Sequence, residues 1–322
     1  MATLKNRNLT LDSLKIVLAF MVIGIHAQFF NDINLLSAYL FQNGLFTLAV
    51  PVFFIINGYY FHKIYTKGMV KKWVIRIIVL YIVWMLLYLN YWFIYPNGSI
   101  VPLKVFIKYI IVGYGHLWYI IATLCAGILL YFMLNISDIK ISIIALILFF
   151  IGVFLQYIDM YQLFYTPFIS YIFEVIPTYR NFIFFAFPFF TIGFFISKNN
   201  ISTIINKKQV VLITVVGFIF LFCESFTNYY LTSGKTGASL FFSLIIISPA
   251  LFLLVLKFQI TGNNKYIASM ATSIYLVHIF FLNIYEESWI YGGTLLTIVT
   301  FIISIIFSYF LIKINKKVKF LL

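Results

Sequence analysis

The chain has 322 residues, of which 64% are hydrophobic and 9% are charged, and its mean hydropathy is +1.06. A soluble domain carries about a quarter of charged residues, so this composition excludes a soluble protein and indicates one embedded in a bilayer. The net charge of +14 would suggest nucleic-acid binding in a soluble domain. Here the cations lie between apolar runs, so we expect no nucleic-acid partner.

The cysteines and the first apolar run argue against a disulfide-stabilised protein, a metal site built from cysteines and a cleaved signal peptide. Cys125 and Cys223 both lie in apolar segments and give neither a disulfide framework nor a metal-ligand spacing. The first apolar run follows basic residues, as in a signal peptide, but it is about 20 residues long, is interrupted by polar groups and lacks a small-x-small cleavage site. We therefore interpret this run as a retained first helix.

Apolar runs long enough to cross a membrane recur along the whole chain. A bilayer core of about 30 Å requires about 20 helical residues, so the runs predict an all-α, polytopic helical bundle with about ten transmembrane helices. The predicted spans lie at roughly 11–30, 44–61, 73–95, 116–134, 141–158, 181–197, 209–224, 239–256, 266–284 and 293–312. Segments 103–114 and 160–178 are amphipathic or short and are expected to lie at the interface or to re-enter. Residues 1–322 are predicted to form a single membrane-embedded domain.

The charges predict the orientation of the bundle, because Lys and Arg favour cytoplasmic loops. With the N-terminus inside, only four of the 22 basic residues fall at the outer side, namely Lys104, Lys108, Arg180 and Lys235. The chain is therefore predicted to be N-in and C-in. The acids assigned to the outer side are Asp32, Asp159, Glu174, Glu224, Glu286 and Glu287.

The first span carries three ionisable residues, Asp12, Lys15 and His26. On an α-helix, Lys15 and His26 lie about 20° apart in azimuth and about 16 Å apart along the axis, with Asp12 on the same stripe. Such a stripe is costly in lipid, so we expect it to face the bundle interior or a wet cavity, with the imidazole in the outer half. In the structural alternative, Lys15 snorkels, Asp12 caps the first turn and His26 makes an interhelical bond.

Two further histidines are expected in the outer half of the bundle. His116 opens the fourth span in GHLWYI, and His278 lies in the ninth span, three residues after Tyr275 and on the same face. Trp118 and Tyr119 fit an aromatic belt as well as a site. Neither a second histidine nor a carboxylate accompanies any histidine at ligand spacing, so no metal is predicted.

Basic and polar residues also mark the cytoplasmic halves of the second and third spans. In KKWVIRIIVLY, Lys72 precedes the span and Arg76 falls one turn into it; this suits a phosphate partner, although topology alone also supplies basic helix ends. His62 lies among lysines and is interpreted as a solvated residue. Gly58 permits close helix approach, and Asn57 is a buried polar group that needs a partner.

These features, in this order, resemble the acyltransferase-3 family of integral membrane O-acyltransferases. The matching segments are LDSLKIVLAFMVIGIHA, VPVFFIINGYYF, Arg76 in the third span, HLWYI and SIYLVHIFF. The family usually has arginine where this chain has Lys15, serine where it has Asn57, and a second arginine on the third helix where it has Trp73. The chain has no room for the outer hydrolase-like domain of some members, and it is similar to stand-alone members that acetylate surface polysaccharide.

The resemblance implies transfer of an acyl group, expected to be acetyl from acetyl-CoA, to a hydroxyl of a cell-surface or lipid-linked glycan across a bacterial inner or plasma membrane. The implied partners are acyl-CoA, the glycan acceptor and membrane lipid. Lys15, Lys72 and Arg76 would bind the donor, and Asp12 would orient Lys15. His26 would act as general base or form a transient acyl-imidazole. The candidates to bind the acceptor or stabilise an oxyanion are His116, Tyr275 and His278.

Two other classes of protein also fit these residues. A transporter or flippase for a polyprenyl-linked glycan would need a similarly aromatic, polar-lined bundle, and a purely structural membrane subunit is a third interpretation. No inverted repeat, the mark of many transporters, is evident in the sequence.

Overall fold

The structure, a computed structural model, describes residues 7–94, 98–164, 166, 173, 178–262, 265–286 and 292–322. Within these residues the chain is all-α, apart from an antiparallel pair of two-residue strands, Arg7–Asn8 (β1) and Thr261–Gly262 (β2), and a single antiparallel bridge between Ile94 and Ile100. Glu174, Glu287 and most of segment 160–178 lie outside the described residues.

Over the described ranges, the α-helices follow the predicted spans closely. They are Leu9–His26 (α1), Leu35–Gln42 (α2), Ala49–Thr66 (α3), Val70–Leu87 (α4), Leu89–Trp92 (α5), Leu103–Val112 (α6), Trp118–Met133 (α7), Asp138–Met160 (α8), Phe187–Lys198 (α9), Ile201–Ile204 (α10), Lys207–Thr232 (α11), Leu244–Lys257 (α12), Lys265–Glu286 (α13) and Thr294–Val318 (α14). Short 3₁₀ turns precede α3 and α7, and a π turn, Phe182–Ala186, precedes α9.

Seven helical stretches of this described part are long and apolar enough to cross a membrane. They are α1, α2 with α3, α7 with its 3₁₀ turn, α8, α11, α13 and α14. The chain is therefore a multi-pass, all-α membrane protein, as predicted. The other three predicted spans coincide with α4, which carries three cations, and with the shorter apolar helices of α9 and α12. The count of ten and the orientation of the termini stay predictions.

The first predicted span is wrong at its C-terminal end. The helix stops at His26, and Gln28 and Phe30 have φ of 59° and 67°, outside the helical region. At the other end, the Asn8 side chain accepts a hydrogen bond from the Leu11 N–H at 3.1 Å and so caps α1. The helix packs lengthwise against α13, which brings the ends of the two helices together.

The tightest helix contact in the bundle joins α3 to α9. A Cβ atom at Gly58 would lie 1.9 Å from the Phe190 carbonyl oxygen, and one at Gly193 would lie 2.0 Å from the Ile55 carbonyl oxygen. Both distances are far inside van der Waals contact, so only glycine fits at either position. We call this contact the glycine seam.

Two acids predicted at the outer side cap helices there. Glu224 accepts hydrogen bonds from the Phe242 N–H at 2.7 Å and the Ser243 N–H at 2.9 Å, just before α12. Asp32 accepts hydrogen bonds from the Thr294 backbone N–H at 2.9 Å and the Thr294 hydroxyl at 2.8 Å, at the start of α14. These two bonds, the backbone one first, hold the pKa of Asp32 below its ordinary value.

Candidate active site

The polar stripe of α1 faces the interior of the bundle, as its spacing predicts. Asp12 is only 1% exposed, and its Oδ1 atom lies 2.9 Å from Lys15 Nζ in an ion pair. The Lys15 ammonium also lies 5.3 Å from the centre of the Tyr60 ring. His26, at the last residue of the helix, is half-buried. Because α1 is continuous, His26 and Lys15 are separated by about 16 Å along the helix.

A cavity of about 540 Å³ opens beside Lys15. We call it the central cavity; α1, α3, α4, α7, α13 and residues near the end of α14 form its walls. Its basic end is marked by Lys15 and Arg76, and its deep end by Tyr119 and Tyr275. The central cavity therefore brings together three residues singled out in the sequence: Lys15, Arg76 and Tyr275.

The third predicted donor-binding residue lies elsewhere. Lys72 is exposed and does not line the central cavity, whereas Arg76, one turn further along α4, does. The Arg76 guanidinium donates a hydrogen bond to the Leu322 carbonyl oxygen at 3.3 Å. Trp73 also lines the cavity, and its ring centre lies 4.7 Å from that of Phe61. An indole thus fills the position where the family resemblance suggests a second arginine.

Aromatic rings close the deep end of the central cavity. Asn57, beside the glycine seam, donates a hydrogen bond from Nδ2 to the Tyr119 hydroxyl at 2.5 Å. The rings of Tyr119 and Tyr275 are 5.4 Å apart, and that of Phe53 is 6.1 Å from Tyr275. The Tyr275 hydroxyl donates to the His116 carbonyl oxygen at 2.5 Å, so its proton is engaged in this structure.

Beyond Tyr275, the three predicted histidines form one cluster. The ring of His278 lies 5.5 Å from that of His26 and 5.0 Å from that of His116. Tyr275 lies 5.4 Å from His116 and 5.8 Å from His278. We call His26, His116 and His278 the histidine cluster. Residues from α1, from the turn before α7 and from α13 therefore meet at one point, more than 250 residues apart in sequence.

The ring nitrogens of the cluster are sparsely hydrogen-bonded. His278 Nδ1 lies 2.6 Å from the Tyr275 carbonyl oxygen. A carbonyl only accepts, so Nδ1 carries the proton and Nε2 presents a lone pair. His278 Nε2 and both ring nitrogens of His116 are buried and have no hydrogen-bond partner among the described residues. Buried polar atoms in this state are available to a substrate hydroxyl or carbonyl.

Local backbone geometry explains how His116 reaches the cluster. Gly113 ends α6 with φ of 96°, and a Cβ atom there would lie 2.7 Å from the Trp118 backbone nitrogen. The turn that follows buries His116 to 1% exposure. The Tyr88 ring lies 5.3 Å from His116, and its hydroxyl donates to the Leu276 carbonyl oxygen at 2.8 Å, which ties α4 to α13.

His62 is not the solvated residue that the sequence suggested. It is half-buried, with its Nδ1 atom 2.9 Å from the Ser197 hydroxyl and its ring 5.2 Å from that of Phe194. The correction has a simple cause: the glycine seam draws the end of α9 onto α3, which covers one side of the imidazole. His62 lies outside both the central cavity and the histidine cluster.

Sequence reasoning missed Arg180 as a site residue. Its guanidinium carbon lies 4.9 Å from the centre of the ring of Trp118, which is two residues from His116. The usable signal was that Arg180 is one of only four basic residues predicted at the outer side. Its distance in sequence from every histidine hid the connection.

The site is thus a largely buried cluster of imidazoles beside a cavity with a basic opposite end, as in a membrane-embedded group-transfer enzyme. Residues 8–313 match the family described as "Acyltransferase domain", and the chain belongs to this family, the acyltransferase-3 family. The match confirms the resemblance seen in the sequence.

One curated relative has a different name. The chain is 26% identical over 299 residues to an amino-acid racemase of Enterococcus faecalis, and the alignment covers 85% of this chain but 41% of that protein. The chain therefore spans less than half the length of this relative. No solved structure matches the chain significantly.

Proposed function

We propose that this protein transfers an acyl group, acetyl in the simplest case, from acyl-CoA at the cytoplasmic side to a hydroxyl of a cell-surface or lipid-linked glycan. The observation that carries the proposal is the central cavity, which leads from the cations Lys15 and Arg76 to Tyr275 at the edge of the histidine cluster. Family membership supports the acyl-transfer chemistry. The racemase name is not carried to this chain, because most of that relative lies outside the alignment.

The basic end of the cavity suits the nucleotide end of coenzyme A. Phosphates bind well to an ammonium and a guanidinium, which Lys15 and Arg76 supply at the cavity wall. Asp12 fixes the position of Lys15 through their ion pair. The neutral pantetheine arm would then extend past Asn57 toward Tyr275, where the lining becomes aromatic.

The histidine cluster suits the transfer step. In the direct route, the acceptor oxygen attacks the thioester carbonyl while His26 takes the hydroxyl proton; the C–S bond breaks, and the leaving thiolate then receives that proton. In the two-step route, His26 attacks the thioester carbonyl, the C–S bond breaks and the coenzyme A thiolate leaves, which gives an acyl-imidazole. The acceptor hydroxyl then attacks this intermediate, the C–N bond breaks to restore His26, and the hydroxyl proton goes to the thiolate. The single N–H of the buried, neutral His116 ring would stabilise the oxyanion in either route. With Nδ1 engaged by the Tyr275 carbonyl, the lone pair on His278 Nε2 would accept a hydrogen bond from the N–H of His26 or from the O–H of the acceptor.

Label transfer tests this function. Purified protein is given acetyl-CoA labelled in the acetyl group together with candidate glycans, and the glycan is recovered and analysed by mass spectrometry. Acyl transfer places the label on the glycan as an ester, whereas a transporter or flippase would leave it on coenzyme A. Surface glycans from cells with and without the protein would identify the natural acceptor by the same mass difference.

Sidedness is tested in oriented vesicles. We propose that the basic end faces the cytoplasm and that the acceptor reacts at the outer side, because the predicted N-in, C-in topology assigns 18 of the 22 basic residues to the cytoplasmic side. Membrane-impermeant acetyl-CoA should support transfer only when it is supplied at the cytoplasmic face. Transfer supported only from the outer face would reverse the proposed arrangement.

A further inference from the structure

Arg180 approaches the histidine cluster from the end of the bundle that is remote from the cationic mouth. The helical segment Phe182–Lys198 begins just after Arg180, and its far end contacts His62 through Ser197. His62 lies near the end of α3, beside the start of α4 and its lysines. Arg180 is therefore separated from the mouth by the full length of this segment, and it does not line the central cavity.

Contacts on both sides hold the backbone around Arg180 in place. The Tyr179 hydroxyl donates a hydrogen bond to Asp159 Oδ2 at 3.0 Å. The Asn181 side chain accepts hydrogen bonds from two backbone N–H groups of the following turn, at 2.8 and 3.0 Å, and so caps it. Trp118 supports one face of the guanidinium. The position of the charge is thus set by three independent contacts.

The guanidinium nevertheless keeps its hydrogen-bonding capacity. Among the described residues, no hydrogen bond or ion pair joins Arg180 to another group, and Asp159 is engaged by Tyr179 instead. Stacking on an indole covers a face of the guanidinium and leaves the N–H donors at its edge, where a carboxylate or phosphate binds in a bidentate manner. The residue is exposed by surface area although protein atoms surround its charged end, so an aqueous ligand would reach the guanidinium from its open side.

We propose that Arg180 binds an anionic group, a carboxylate or a phosphate, that the acceptor carries near the hydroxyl to be acylated. This inference rests on the proposed function. Trp118, which supports the guanidinium, is two residues from His116, so an anion bound by Arg180 would lie beside the histidine cluster. When His26 takes the hydroxyl proton it becomes a cation, and such an anion would offset the added positive charge. An anionic acceptor therefore brings both the hydroxyl and the compensating charge, and a neutral glycan brings only the hydroxyl.

Matched acceptors test the proposal. Purified protein is given labelled acetyl-CoA with one of three oligosaccharides of equal length: a neutral one, one containing a uronic acid and one containing a glycerol phosphate. Wild-type protein should favour at least one anionic glycan over the neutral one by about 10- to 100-fold in kcat/KM, the range of a charge-assisted hydrogen-bond pair. The two anionic arms show whether carboxylate or phosphate is the ligand.

Variants assign the preference to the residue. Arg180→Gln should remove the preference by lowering kcat/KM for the anionic glycan about 10-fold or more relative to kcat/KM for the neutral glycan, and Arg180→Lys should retain part of the preference. Lys235→Gln, which removes another exposed cation predicted at the outer side, should keep the full preference. Equal use of neutral and anionic glycans by wild-type protein, or an equal loss on both in Arg180→Gln, would overturn the proposal.

Binding without the donor separates this inference from the proposed function. Anionic glycans should raise the Tm of wild-type protein, and Arg180→Gln should abolish that shift while eluting as a monodisperse peak. Glycan binding that depends on Arg180 but gives no ester would support the anion site and contradict the acyltransferase function. Ester formation on neutral and anionic glycans alike would support the function and overturn the anion site.

Discussion

At the basic end of the central cavity the polar groups are charged and already engaged: Lys15 pairs with Asp12, and Arg76 donates to a backbone carbonyl. At the histidine cluster, about 16 Å away along α1, the polar groups are imidazoles with open ring nitrogens. A charge must keep counter-charges or water around it, so the first region is built to hold an anion. An imidazole with an open ring nitrogen can accept a hydrogen bond or a proton from a substrate hydroxyl, so the second region is suited to the reaction step.

The largest expected effect is the loss of acyl transfer when a residue of the histidine cluster is substituted. His26→Ala should lower acyl transfer by about 10²- to 10⁴-fold, because positioned general-base catalysis contributes that much, while acyl-CoA binding persists. His62→Ala is the matched control, since His62 lies outside the site, and it should keep near wild-type turnover. If His26→Gln turned over at the wild-type rate, the catalytic role would be refuted, because an amide holds a helix contact but accepts no proton near pH 7.

Substitutions at the basic end of the central cavity should instead change the affinity for acyl-CoA. Lys15→Ala should raise the KM for acyl-CoA by about 10-fold or more, the value of a charge-assisted phosphate contact, while Lys15→Arg should be tolerated. Lys15→Ala also leaves the buried Asp12 carboxylate without its ammonium, so its Tm should fall.

A double variant separates these two effects of Lys15. Asp12→Asn combined with Lys15→Ala removes both charges, so Tm should recover while the KM for acyl-CoA stays high. Recovery of both quantities in the double variant would show that Lys15 serves only to neutralise Asp12. Steady-state kinetics and a thermal melt of the same preparations provide the measurements.

A third comparison concerns two cations four residues apart. Arg76 lines the central cavity and Lys72 does not, so Arg76→Gln should raise the KM for acyl-CoA by about 3- to 10-fold and Lys72→Gln by less than about 2-fold. The sequence alone predicted donor binding for both. Equal effects of the two substitutions would mean that only the summed charge of the mouth matters.

The smallest expected effect is on thermal stability, and it concerns a residue away from both ends of the central cavity. Asp32 caps α14 and has a lowered pKa when folded, so it stabilises the protein above its ordinary pKa of about 4, and that stability is lost as pH falls through the folded pKa. Asp32→Asn should lower Tm by about 1–2 °C at pH 7. The difference between variant and wild type should shrink toward pH 3; a difference that is constant with pH would exclude the linkage.

Much of the fold could be predicted from sequence because hydrocarbon imposes one rule on every span. Apolar runs of about 20 residues must be helical, so helices occur at all ten predicted positions, and the spacing of Asp12, Lys15 and His26 predicted an inward stripe. For His116 and His278, the sequence predicted only that they lie in the same half of the bundle as His26, and it did not predict that the three rings meet. Contact between them depends on which helices pack side by side, and periodicity within one helix carries no such information.

The missed residues share a physical cause. Arg180 reaches the site through a turn capped by Asn181 and through contact with Trp118, and the second of these joins residues more than 60 positions apart, which no local sequence pattern predicts. Lys72 and Arg76 look alike in sequence, and only the rotation of α4 in the bundle separates them. His62 was misjudged because its cover comes from α9, more than 130 residues away.

The glycine seam has a mechanical consequence. The helices α3 and α9, whose backbones touch at Gly58 and Gly193, behave as one rigid unit, since separating them would open a void along the whole contact. Asn57 belongs to this rigid helix pair, and its hydrogen bond holds Tyr119 at the deep end of the central cavity. One wall of the central cavity is therefore fixed. Any opening toward the histidine cluster must come from rotation of aromatic side chains such as Tyr275, not from movement of α3 relative to α9.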